Sequence, residues 1–204
     1  MPVGWLLLLS DAPASLVLSA GPAFTLGLMG VGILAAAIVG RFWVGVLLAL
    51  INVACLVALA LALDMPALPT PIATALVMII ASGSFAARGA LFTKTLSSKA
   101  WLMGLFVVAG EASVLLIAAL FPGVLPNWFL ALLPAQWASV AIQTTVTGTA
   151  PFAAVPAVIA LAGTASTTLL AARLWFRSWP YALMFNAWLG LSALVYFWPV
   201  PTAS

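Results

Sequence analysis

Long apolar runs broken at single basic corners set the pattern of this chain. Three tripeptides, Arg41-Phe42-Trp43, Lys99-Ala100-Trp101 and Arg177-Ser178-Trp179, each place a cation two residues before an indole, and each opens an apolar run. A cation in the headgroup zone beside a Trp at the water–lipid boundary marks where a helix enters a bilayer. About 20 apolar residues cross a hydrocarbon core of ~30 Å. Six runs meet or approach that length: Pro22–Gly40, Phe42–Leu63, Pro71–Ala87, Ala100–Phe121, Pro151–Ala172 and Trp179–Trp198. The predicted fold is an all-α, polytopic integral membrane bundle of about six transmembrane helices, in one domain over 1–204. The third run is the shortest and needs part of the adjoining loop or a thinned bilayer.

The stretch 122–150 decides between six spans and seven. Trp128 to Val146 is apolar enough for a borderline crossing, yet Gln136, Ser139, Gln143 and Thr147 fall mostly on one helical stripe. An outer amphipathic or re-entrant segment, with Trp128 and Trp137 at the interface, is the preferred reading. Charge supports it. Arg41 lies between the first two runs, Arg88, Lys94 and Lys99 between the third and fourth, and Arg173 and Arg177 between the fifth and sixth. Six spans put all six cations on one side and Asp11 and Asp64 on the other. The positive-inside rule makes the basic loops cytoplasmic, with both termini outside a plasma (inner) membrane. A seventh crossing would strand Arg173 and Arg177 on the wrong side.

Composition closes off other classes. The chain is 66% hydrophobic and 4% charged, against about a quarter charged in soluble domains, so it cannot cover a water-facing surface. His is absent, which removes the commonest metal ligand and the usual haem ligand. The single Cys55 allows no disulfide or thiolate site within one chain. No metal or cofactor is expected, and the cations mark topology with no nucleic-acid patch among them. No basic residue precedes the apolar Trp5–Leu9 stretch, and Asp11 and Pro13 interrupt it. Residues 1–21 therefore read as an interfacial or re-entrant lead-in in preference to a cleaved signal.

The runs also repeat. With Trp43 set against Trp101, Leu47 meets Leu105, Ala54 meets Ala112 and Ala60 meets Ala118. The third and fifth runs both reach Ala-Ala-Arg, at Arg88 and Arg173. A two-helix unit used twice in the same direction, with Trp179 opening a partial third copy, is a parallel repeat. The alternative is chance alignment of Ala/Leu/Val-rich helices.

Glu111 is the acid inside a span. An ionisable group at membrane depth costs ~3 kcal/mol or more and marks a proton relay or coupling site by default. The bland alternative is a neutral carboxyl bonded to a neighbouring helix. Asn52 and Asn186 follow their tryptophans by similar intervals, so the three share a depth and are candidates for one polar centre holding a proton or cation. Taken singly, each Asn reads as a helix–helix hydrogen bond. Trp43, Trp101 and Trp179 are the interface anchors. Gly32, Ala36 and Gly40 form a small-xxx-small stripe that lets a helix approach closely. Thr164, Ser166, Thr167 and Thr168 line a polar path or bond to their own backbone. There is no Walker lysine, carboxylate pair or Gly-x-Ser-x-Gly elbow, so enzymatic chemistry is disfavoured.

The segment from Asp64 through Pro66, Pro69 and Pro71 to Ala86-Ala87-Arg88, and Gly104 to Leu120 with Glu111 at its centre, resemble helices of the small membrane subunit of multisubunit cation/proton antiporters, complex I and membrane-bound hydrogenases. The resemblance covers about half the chain. It implies that Glu111 takes part in proton movement and that other membrane subunits are partners. The Asn-rich continuation that follows the Glu in that family is missing, and 122–150 has no counterpart. The expected function is a small membrane subunit or transporter moving protons or a small cation through Glu111. The alternative is a non-catalytic scaffold docked to a larger membrane complex.

Overall fold

A computed structural model of the chain describes residues 13–148, 151–174 and 179–198. The helices, in chain order, are α1 (Pro13–Val39), α2 (Phe42–Ala62), α3 (Pro71–Leu96), α4 (Ala100–Leu120), α5 (Asn127–Leu130), α6 (Pro134–Thr147), α7 (Pro151–Arg173) and α8 (Trp179–Phe197), with a 3₁₀ turn at Ser97–Lys99. Six of them, all but α5 and α6, are long and apolar enough to cross a membrane. The all-α polytopic bundle expected from the sequence is therefore the fold, and its boundaries differ from the sequence reading in three places.

The third run does take up the adjoining loop. Helix α3 continues past Ala87 to Leu96, a length of ~39 Å. Arg88 therefore sits within the helix, ~12 Å from its end, and not in a topology-setting loop. Nothing in Gly89-Ala90-Leu91-Phe92 breaks a helix strongly enough to stop it there. The lead-in also changes: residues 13–21 belong to α1, continuous with the first span through Pro22, while 1–12 lie outside the described residues.

The third difference is α6. It has 14 residues, ~21 Å, too short to cross the hydrocarbon. It is therefore not a seventh span. Helix α6 is packed among α1, α3 and α7, and Trp137, expected at the interface, is 1% exposed in the core. Trp128 is exposed, as expected. Gln143 of the α6 polar stripe faces α1, where the Gly21 N–H donates to its Oε1 at 2.8 Å. At the other end Gly148 closes α6 in the left-handed region, φ 68°, and Thr70 at the foot of α3 donates to Thr145 O at 2.6 Å.

Helices α1 and α3 are the centre of the bundle. Each packs on α2, α4 and α6 as well as on the other; α3 also holds α7, and α8 rests on α7. Small residues make the α1–α2–α3 contact possible. A Cβ on Gly45 would stand 2.7 Å from Gly32 O and from Ala36 Cβ, and one on Gly89 would stand 2.3 Å from Ile33 O. Gly32 and Ala36 thus do the close packing expected of their stripe. Gly40 has another task, ending α1 at φ 73°. Successive spans run in opposite directions, so α1, α3 and α7 share one direction. Arg41, Lys94, Lys99 and Arg173 gather at one end of the bundle and Asp64 at the other. Trp43, Trp101 and Trp179 are all exposed at the basic end.

Gly89→Ala drives a methyl into the α1 backbone, which no rotamer change relieves. It should cost about 1–3 kcal/mol and lower the unfolding temperature in detergent. Gly110→Ala on α4, where a Cβ meets nothing within 4 Å, should leave that temperature unchanged or raise it.

Candidate functional site

The short helix α6, packed inside the bundle of long apolar helices, creates an electrostatic problem at its N-terminus. Pro134 occupies its first turn and Leu133 is its N-cap, so no capping side chain satisfies the free N–H groups there. Glu111, halfway along α4, fills that role from another helix: Ala135 N–H donates to its Oε2 at 3.3 Å. A carboxylate at a helix N-terminus also meets the positive end of the helix dipole. Its second oxygen, Oε1, accepts a charge-assisted hydrogen bond from Nη1 of Arg88 on α3. The acid singled out from the sequence is therefore the hinge of an inter-helix ion pair. The two side chains are 17% and 14% exposed.

The turn before α6 carries two more exposed backbone groups, and two indoles meet them. Trp137 Nε1 donates to Ala131 O at 2.8 Å, and Trp188 Nε1 on α8 donates to Leu132 O at 3.1 Å. Non-helical backbone is tolerated at this depth only when protein groups satisfy it. The guanidinium of Arg88 also lies 5.0 Å from the centroid of the buried Phe85 ring, one turn back along α3, a cation–π contact.

A cavity of about 510 Å³ opens beside the pair, lined by residues of α3, α4, α7, α8 and the segment 129–134. Arg88, Glu111, Thr164 and Thr168 are its polar lining; Phe92, Phe129, Phe185 and Trp188 are its aromatic walls. Of the hydroxyl cluster expected as a path, Thr164 and Thr168 reach this cavity. Thr164, Ser166 and Thr167 bond back to carbonyls of their own helix at 2.8–2.9 Å.

The two asparagines are not part of this centre. Asn52 on α2 packs against Gly27 of α1, where a Cβ would stand 2.8 Å from Nδ2, and that nitrogen is buried without an acceptor. Asn186 is exposed on α8 and donates to Ala182 O of its own helix at 2.7 Å. Shared depth did not become shared contact, because α2, α4 and α8 turn these residues to different sides. The residue the sequence reading missed is Arg88. Its signal was present: a 17-residue third run is too short to span, and extending it by two turns places Arg88 within the membrane. Comparison with known protein families, curated proteins and solved structures finds no match. Among the described residues no group of three or more His, Cys, Asp or Glu is placed to hold a metal.

Arg88→Gln leaves the Glu111 carboxylate with one backbone donor and should cost about 3–5 kcal/mol. Glu111→Gln should cost less, since its amide oxygen still accepts and Arg88 keeps the Phe85 ring. The double variant should be more stable than the sum of the singles implies. Thermal unfolding of all four proteins in one detergent measures that coupling.

Proposed function

We propose that this integral membrane protein handles protons through Glu111, as a small transporter or as a subunit of a larger membrane complex. The observation that carries the reading is the setting of the Glu111 carboxylate, held halfway along an apolar helix between the α6 N-terminus and the Arg88 guanidinium, beside a cavity. An ion pair of this kind has two arrangements. With the carboxylate charged, Arg88 ties α3 to α4. With a proton on it, the attraction weakens and Arg88 is released, so proton uptake is linked to helix movement. The resemblance to antiporter and complex I small subunits, residues 64–88 and 104–120, points the same way. The orientation that fits is basic end cytoplasmic in a plasma (inner) membrane.

Glu111→Gln should abolish proton flux into proteoliposomes, followed with an entrapped pH dye, while the protein is still recovered monodisperse from membranes. Glu111→Asp, which keeps the carboxyl, should retain part of the flux. Wild-type flux from Glu111→Gln overturns the proposal.

A second reading, docking to other membrane subunits, is favoured by Asn186. A carboxamide presented outward ~10 Å inside α8 costs less against a polar group of another helix than against lipid. Asn186→Leu should then reduce the particle from an assembly to the 21.0 kDa chain, as read by detergent-corrected light scattering. An unchanged mass removes this reading.

A further inference from the structure

Glu111 uses only one corner of the Arg88 guanidinium. The bond runs from Nη1, while Nε and Nη2 are buried without an acceptor. Those two nitrogens form the side edge of the fork, whose parallel N–H groups match the two oxygens of a carboxylate or phosphate. Leaving such donors unsatisfied costs more than an ordinary missing hydrogen bond, because the group is charged. The residue that carries them lines the 510 Å³ cavity, a volume within the ~300–1,000 Å³ range of small-molecule sites.

The walls say what else the occupant carries. Away from Arg88, Glu111, Thr164 and Thr168 the lining is aliphatic and aromatic, so a bare hydrated anion would lose its water against apolar surface. The position of the cavity says where the occupant comes from. Helix α4 packs on α1 and α3, α8 packs on α7, and α4 and α8 share no packed interface. The cavity draws its lining from both, Glu111 on one side and Met184, Phe185 and Trp188 on the other. The gap between the two helices therefore faces sideways, toward the lipid-facing surfaces of the bundle.

We propose that this cavity is a binding site for a single-chain membrane amphiphile with an oxyanion head, admitted between α4 and α8, its head on the Nε/Nη2 edge of Arg88 and its chain along Phe185 and Trp188. Both nitrogens are covered as the side chain stands, so binding requires Arg88 to turn toward the cavity and loosens its bond to Glu111. The assignment deepens the proposed function and rests on its placing of the working centre at the Arg88–Glu111 pair. The two remain separable, because flux is read on Glu111 and binding on Arg88.

The test is titration of the intact protein with dodecyl phosphate in dodecyl maltoside micelles, read by native mass spectrometry. A neutral-headed chain of equal length is then always in excess. Wild type should take up one dodecyl phosphate per chain, saturably, and inorganic phosphate should not bind. Glu111→Gln should bind at least as well as wild type. Arg88→Gln, and the charge-balanced double variant with Glu111→Gln in case the single does not fold, should bind about tenfold or more weakly. Equal binding by the double variant and by Glu111→Gln overturns the proposal. So does uptake that never saturates, or inorganic phosphate binding as tightly as the alkyl phosphate. Loss of flux in Glu111→Gln with binding intact supports both readings, whereas wild-type flux with Arg88-dependent binding overturns the proton reading alone.

Discussion

Everything near the centre of this protein follows from one constraint: a helix that starts inside the membrane must have its free N–H groups and the carbonyls of its entering turn satisfied by protein. Helix α6 cannot do this locally, because Pro134 and Leu133 offer no capping group. The solution is assembled from three other elements. Glu111 of α4 takes the Ala135 N–H, and Trp188 of α8, with Trp137 of α6 itself, takes the carbonyls of the turn. A carboxylate brought to that depth is expensive unless paired, and Arg88 of α3 pairs it. The ion pair is thus the last of a chain of requirements that begins with a broken backbone.

The same requirements explain the packing. The pair has to bridge α3 and α4 at a fixed height, and α3 is held by a close approach of Gly89 to the α1 backbone. That contact lies next in sequence to Arg88, so a tight steric fit and the sole ion pair among the described residues share one turn of helix. The periphery is different. Helices α4 and α8 turn most of their apolar surface outward and leave a cavity between them. In the proposed mechanism Arg88 changes partners at this side pocket while the α1–α3 core keeps its packing.

Electrostatics give that change of partners its meaning. Glu111 balances Arg88 only while it is charged, and Arg88 balances Glu111 only while no other oxyanion occupies its fork. On the proposed function and the proposed binding site, a proton and an anionic amphiphile would each break the same bond from opposite ends, so both would act in one direction on a single two-state element. An apolar site free of other charged lining residues suits this, because little screens the interaction there.

The sequence alone determined the class of fold and the six long helices, and it singled out Glu111 as an acid inside an apolar run. Each rests on a local property: the length of an apolar run, the positions of cations, the cost of one carboxyl in hydrocarbon. The neighbours of Glu111 were beyond it. Asn52 and Asn186 matched its depth, but contact depends on the rotation of each helix about its axis, and the Ala/Leu/Val-rich runs carry little moment to fix that rotation. A cation after an apolar run normally ends a span, so in sequence Arg88 reads as a loop residue. Only the packed structure, where α3 continues for two further turns and presents its guanidinium to α4, turned a topology marker into a buried partner. The physical reason is that pairing energy between two charges depends on distance in three dimensions, and the sequence records position in one.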